Sequence, residues 1–305
     1  MSLSPGAELA PIFLVGATAT GKSDLGLALA RQSGGAILAM DAIQVYRGAD
    51  IGTGKPSAAE RTEIPHGGLD LVDFGGSFDV AQYLKHAGEF LREQSAAGRR
   101  VIVVGGTGLY FRALTRGLCE APQGPDELRA ELAVLSVDDL RERLRKVDAP
   151  ILERLDVSNP RRLARAIEVM EATGRSLRAW QEETPEPLVR GFRAFRIERE
   201  KGELEIRIGA RVKTMFAAGW VDEVRGLIAR HGAEAVRAFP GIGYREIAEA
   251  LARGAAPDSA QSDIVVSTRQ YAKRQLTWFN REPTLEKIML SGTELPPSLV
   301  VPFLS

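Results

Sequence analysis

Three short apolar runs punctuate the first third of the chain: "PIFLV" (11–15), "AILAM" (36–40) and "VIVV" (101–104). Between them lie segments with helical spacing of apolar positions, among them Ser23–Gln32 and Val80–Ala97. Strands alternating with helices predict a parallel, doubly wound sheet. Such sheets take ligands beyond the carboxyl ends of their strands. The segments that follow the three runs are therefore the places to look for chemistry: "GATATGKS" (16–23), "DAIQVY" (41–46) and "GGTGLY" (105–110).

From about residue 118 the pattern becomes charged and helix-rich, through "DELRAELAVL", "VDDLRERLRKV" and "NPRRLARAIEVMEATG", without strand alternation. "RAFRIER" (193–199) reads as an edge strand returning the chain to the sheet. Amphipathic helices are expected over 203–218, 219–231 and 244–253, with a more basic one over 262–281. The predicted fold class is α/β: a P-loop parallel sheet flanked by helices, with a helical insertion domain. The expected divisions are a first core part at 11–117, the insertion at 118–188, a second core part at 189–282 and a tail at 283–305 that gives no functional signal.

"GATATGKS" satisfies G-x-x-x-x-G-K-[ST], the phosphate-cradling loop found between a strand and a helix. The backbone N–H groups of Gly16, Ala17, Thr18, Ala19, Thr20 and Gly21 would face an anion, Lys22 would add a point charge, and the Ser23 hydroxyl would reach Mg²⁺. A nucleoside-triphosphatase also needs a carboxylate at the end of another apolar strand. Here "VIVV" runs into "GGTG" with no acid, although Asp41, Asp70 and Asp73 leave a metal partner open. The Gly105–Gly108 stretch instead reads as a second phosphate loop with Thr107 as a hydroxyl donor, or as a plain strand-to-helix turn. Asp41 itself fits a metal ligand, a helix cap or a general base, and spacing alone does not choose.

Forty basic and forty acidic side chains cancel, so affinity for nucleic acid must come from local clusters. Arg99, Arg100, Arg112 and Arg116 form one such group, and Arg269, Lys273, Arg274 and Arg281 another, each read equally well as a solvated face. Tyr244, Tyr271 and Trp278 are candidates to stack on bases, although Trp278 also suits a core. The single cysteine, Cys119, allows no internal disulfide and points to a reducing, cytoplasmic setting. No apolar run approaches membrane-span length, and Met1–Ala10 reads as a disordered leader. His66, His86 and His231 lack metal-ligand spacing.

Taken in order, "GATATGKS", "DAIQVYRGADIGTGKP", "PHGGLD", "VGGTGLY", "NPRRLARAIEV", "RVKTMFAAGWVDEV", "GIGYRE" and "TRQYAKRQLTWF" resemble the tRNA dimethylallyltransferases, or tRNA isopentenyltransferases, from Pro11 to Asn280. The resemblance implies a P-loop that holds the diphosphate of dimethylallyl diphosphate with Mg²⁺, bound through Lys22 and Ser23. It makes Asp41 the general base toward N6 of the adenine adjacent, on the 3′ side, to the anticodon. Thr107 and Arg211 would contact the leaving diphosphate. Gln44, Arg161, Arg165, Gly243, Tyr244, Arg245, Lys273, Arg274 and Gln275 match positions along the tRNA surface or the channel for the base, so the helices of 189–282 would hold the anticodon stem-loop. A monomer is expected. The departures are Ala42 where most members have serine, Gly54 for the usual alanine, and a short 120–158 region. Competing readings are a P-loop kinase, a prenyltransferase acting on free adenylate and a non-enzymatic RNA-binding regulator.

Overall fold

In the computed structural model, which describes residues 9–292, the strands β1 (Ile12–Gly16), β2 (Ala36–Met40) and β4 (Val101–Gly105) are buried along their whole lengths. Burial on both faces is why they read as unbroken apolar runs. Successive side chains go to opposite sides. Phe13, Val15, Leu38, Met40, Val101 and Val103 pack on one face, against α3 (Val80–Ala96) and α4 (Gly108–Arg116). Ile12, Leu14, Ile37, Ile102 and Val104 pack on the other, against α1 (Lys22–Ser33). The expected leader Met1–Ala10 lies, up to residue 8, outside the described residues, as does the tail from residue 293.

All strand pairings are parallel, and the six strands run in the order β3-β2-β4-β1-β5-β6. Here β3 is His66–Gly67, preceded by the capped helix α2 (Ala58–Glu63), and β5 is Arg193–Glu198. β5 is not the edge strand its sequence suggested: β6 (Glu286–Met289), from the tail that gave no functional signal, pairs along its outer side. "EKIM" is too short and too charged to announce a strand by itself.

The chain divides into two compact units, Met1–Thr115 with Leu188–Ser305, and Arg116–Pro187. The second unit is helical: α5 (Asp126–Ala133), α6 (Val137–Asp148), α7 (Pro160–Thr173) and α8 (Leu177–Glu182). They enclose Leu132, Leu140, Leu144, Leu163 and Ile167. Asn159 caps α7, its side chain accepting from the N–H groups of Arg161 and Arg162, with Pro160 at the first helical position.

The first unit continues with α9 (Lys201–Ala217), α10 (Trp220–His231), α11 (Ala233–Ala238), α12 (Tyr244–Ala252) and α13 (Gln261–Phe279). Trp220, Tyr244, Phe239, Val224 and Leu227 form their shared core. No helix among the described residues is long and apolar enough to cross a membrane.

Candidate active site

Strand register brings three loops to one level. Gly105 at the end of β4 pairs with Val15 of β1 and Met40 of β2, so the segments after all three strands start side by side. Close backbone approach demands glycine there, since a Cβ on Gly105 would lie 2.0 Å from the Met40 carbonyl oxygen. Above the loops opens a cavity of about 1050 Å³. Lys22, Ser23, Asp24, Asp41, Gln44, Thr107, Arg211, Tyr271, Gln275 and Trp278 all line it.

Three carbonyls of the first loop are held by side chains, while Thr18, Lys22 and Ser23 line the cavity. Ala17 O accepts from Lys22 Nζ at 2.9 Å and Thr20 Oγ1 at 3.0 Å. Ala19 O accepts from Arg207 Nε at 3.0 Å, and Thr20 O from Arg199 Nε at 2.8 Å. The left-handed turns at Ala19 (φ 63°) and Gly21 (φ 92°) complete the fold-back, the first at a cost an alanine rarely bears. The N–H groups from Ala19 to Ser23 are left at the start of α1, where the helix dipole also favours an anion. Arg199 and Arg207, 179 and 188 residues away from their acceptors, gave no sequence signal of this role.

Lys22, Lys55, Arg211 and Arg274 all line the cavity, and Lys55 is paired with Asp50 and Asp70. Burial, and next the neighbouring Arg211, hold the Lys22 ammonium down to about 8, against the opposing pull of Asp41 and Asp24. Burial likewise lowers Arg211, while Asp41 and Asp24 raise it. No hydrogen bond or ion pair engages the Arg211 guanidinium among the described residues. A half-buried guanidinium lining a cavity without a partner is favoured when an anion joins it. Gly54 (φ +65°) makes the space, since a Cβ there would lie 2.0 Å from an Arg211 terminal nitrogen. The departure at residue 54 thus has a local reason.

Asp41 Oδ1 accepts from the N–H groups of Ile43 (2.8 Å) and Gln44 (3.4 Å), which orients the carboxylate. Its Oδ2 carries no hydrogen bond among the described residues. Thr107 Oγ1 accepts from Ala42 N at 3.1 Å, so its own proton is available to a ligand. Gln44 Nε2 donates to the carbonyls of Thr53 and Gly54, closing the 44–54 loop. That loop is pinned from outside by Glu223 of α10. Its carboxylate accepts from Asp50 N (2.9 Å), Ile51 N (2.6 Å), Gly52 N (3.3 Å) and the Tyr244 hydroxyl (2.6 Å).

The remaining expected positions divide sharply. Arg269, Lys273, Arg274 and Arg281 are exposed, and none has an acidic partner among the described residues. The Arg274 guanidinium lies 5.8 Å from the Tyr271 ring centroid. Arg245 is exposed, 4.0 Å from Glu249. Gly243 (φ 96°) caps α12, its N–H donating to Glu246. Tyr244 is not on a surface: it is fully buried against Trp220 and Phe239, and burial with the adjacent Glu223 pushes its phenol well up. Gln275 is also buried, bonded to both glycine loops. Trp278 packs over Gly108 with Arg112 on its face at 4.7 Å. In the second unit Arg161 is exposed, whereas Arg165 binds the carbonyls of Ala121 and Pro122 and pairs with Glu168.

No three His, Cys, Asp or Glu side chains form a metal cage among the described residues. Ser23 Oγ and the carboxylates of Asp24 and Asp41 are oxygen donors among the cavity's lining residues. That set suits a magnesium ion completed by phosphate oxygens and water.

The family model described as IPP transferase matches residues 44–282. The tRNA dimethylallyltransferase of Methylacidiphilum infernorum is 44% identical over 283 residues, covering 92% of this chain and 86% of that protein. The structure resembles the tRNA isopentenylpyrophosphate transferase of Bacillus halodurans with a TM-score of 0.69 and 29% identity, covering 97% and 94% of the two chains. A eukaryotic dimethylallyltransferase acting on tRNA shares the fold at a TM-score of 0.79 and 23% identity, with 92% and 74% covered.

Proposed function

Because the chain belongs to the IPP transferase family, the tRNA dimethylallyltransferases, we propose that it transfers a dimethylallyl group from dimethylallyl diphosphate to tRNA. The acceptor is N6 of the adenine adjacent, on the 3′ side, to the anticodon, and diphosphate is released. The observation that carries this reading is the half-buried Arg211 guanidinium, unpartnered among the described residues, which lines one cavity with Lys22, Thr107 and Asp41 and feels the charge of both Lys22 and Asp41.

In the reaction the bond from C1 of the dimethylallyl group to the diphosphate oxygen breaks, and the electron pair leaves with diphosphate. The bond from C1 to N6 forms, and the N6 proton passes to Asp41. N6 is a weak nucleophile because its lone pair is delocalised into the ring, so both reactants must be held. Asp41 Oδ1, fixed by two amides, aims Oδ2 at the proton. Lys22, Arg211, the Thr107 hydroxyl and the amides of Ala19 to Ser23 stabilise charge on the departing diphosphate. A magnesium ion would be held by Ser23 with Asp24 or Asp41 nearby, and would supply further positive potential to the diphosphate oxygens. The target base must leave its stack to enter the cavity.

The exposed cations of α13 support docking of the anticodon stem-loop on this side, with Tyr271 and Trp278 lining the cavity wall nearby. The cavity is complete within one chain, which supports action as a monomer. A tRNA substrate and a lone cysteine support a cytoplasmic setting. The test is to incubate the protein with Mg²⁺, dimethylallyl diphosphate and undermodified tRNA, then weigh the nucleosides by mass spectrometry. N6-dimethylallyladenosine without ATP consumption is expected; no product, or ATP-dependent phosphorylation, overturns the reading.

A further inference from the structure

α13 carries a second stripe besides its exposed cations. Thr268, Tyr271, Gln275 and Trp278 follow one another at spacings of three and four, so they share one side of the helix, and all four line the cavity. Within that stripe Gln275 alone is bonded at both ends of its amide to the site's backbone. Its Oε1 accepts from Thr18 N of the first glycine loop at 2.9 Å, and its Nε2 donates to Gly106 O of the second at 3.0 Å. The side chain is buried. Gly106 gives way to it, since a Cβ there would lie 2.0 Å from Gln275 Nε2.

We infer that Gln275 is a positioning residue for prenyl transfer: it fixes the spacing between the two phosphate loops, and so the place of Thr107 relative to the Ala19–Ser23 amides. The inference rests on the proposed function, and it separates Gln275 from the RNA surface on which its neighbours Lys273 and Arg274 lie. Three consequences follow from the geometry. Thr18 N–H is already satisfied, so the anion cradle begins at Ala19. The second loop, which carries no cation of its own, borrows its rigidity from α13. Either bond, once lost, leaves an enclosed backbone group unpaired and frees one loop to drift, and a misplacement on the order of 1 Å is enough to cost about a hundredfold in rate.

The test approaches the brace from both sides. Gln275→Leu removes both bonds at similar volume, and Gly106→Ala drives a methyl group against Nε2. For each, and for the double variant, single-turnover rates with tRNA and dimethylallyl diphosphate are measured, together with the dissociation constants for inorganic diphosphate and for tRNA. Each single change is expected to slow the bound-state reaction tenfold or more and to weaken diphosphate, with tRNA affinity within twofold of wild type. The double variant is expected to be no slower than the worse single, because both break the same link. A weakened tRNA affinity with an unchanged single-turnover rate would make Gln275 an RNA contact and overturn the inference, as would fully additive losses. If Gln275→Leu fails to fold, Gln275→Glu keeps the size and the acceptor for Thr18 while opposing the Gly106 carbonyl. It must then lose rate but not tRNA affinity, and a wild-type rate overturns the inference. A wild-type protein that makes no prenylated tRNA refutes the proposed function itself; an active wild type with unaffected variants refutes only the role of Gln275.

Discussion

Lys22 converts the electrostatics of the site into a measurable pH dependence. Its ammonium sits at about 8 instead of 10.5, chiefly because it is enclosed and next because Arg211 lies near. A diphosphate placed on the Ala19–Ser23 amides adds negative charge beside it and raises that value. The complex therefore binds more protons than the free protein between pH 8 and the higher, bound value. Affinity must be nearly flat between about pH 6.5 and 7.5 and must fall as pH rises above about 8, by up to tenfold per unit. If the ammonium regains at least its ordinary value of 10.5, the loss at pH 9.5 relative to the plateau is roughly thirtyfold. Calorimetric titration with dimethylallyl diphosphate in the absence of tRNA measures it, because the terminal phosphate of the ligand ionises near a pH of about 6 and contributes little above that. Two buffers of different ionisation enthalpy should report uptake of nearly one proton per ligand at pH 9. Lys22→Arg, charged throughout, should abolish the slope whatever it does to absolute affinity. Constant wild-type affinity up to pH 9.5, or the same slope in Lys22→Arg, would refute the assignment of the titration to Lys22 and the placing of diphosphate beside it.

Three further outcomes test other parts of the site. Asp41→Asn keeps the acceptor for Ile43 and Gln44 but removes the proton acceptor, so single-turnover rates should fall by a factor on the order of a hundred or more, with diphosphate and tRNA binding retained; an unchanged rate would leave Asp41 a loop-capping role only. Gly54→Ala presses a methyl group to 2.0 Å from the Arg211 guanidinium at a backbone angle suited to glycine. It should weaken dimethylallyl diphosphate about tenfold, an effect on the order of 1 kcal/mol, and leave the tRNA dissociation constant unmoved. Lys273→Ala should weaken tRNA and reduce the magnitude of the log–log salt slope by about one unit; a wild-type slope from binding at several salt concentrations would take Lys273 off the RNA surface.

The parts of the molecule legible in the sequence are those fixed by short-range patterns. β1, β2 and β4 announce themselves because each is buried on both faces. The glycine loops announce themselves because only glycine tolerates the approach of the Met40 carbonyl to Gly105 and of Ile197 O to Gly16. What stayed hidden depends on partners far along the chain. β5 looked like an edge because its strand-length run contains Arg193, Arg196 and Glu198, and nothing in "EKIM" tells that β6 will cover it. Glu223 resembles any acid in the first turn of a helix until the 50–52 amides meet it. Tyr244, between a glycine and an arginine, reads as a candidate to stack on a base. The wall of Trp220 and Phe239 that buries it is contributed by residues 24 and 5 positions earlier in the chain.

A site that must both accept a proton and hold a departing anion faces an electrostatic conflict, since its carboxylate and its cations attract one another. Direct pairing would neutralise both and leave neither for the substrates. The structure resolves the conflict by anchoring each group at its base. Asp41 spends Oδ1 on the Ile43 and Gln44 amides, Lys22 spends one donor on the Ala17 carbonyl, and Arg211 is housed in the space left by Gly54. The Asp41 charge favours the protonated forms of both Lys22 and Arg211, yet no ion pair within 4.0 Å joins them among the described residues. On the proposed reading, the separation would let diphosphate bind the cations without first displacing the base. In the proposed mechanism the carboxylate would take the N6 proton while the cations hold the negative charge that leaves C1, so neither charge would develop unopposed.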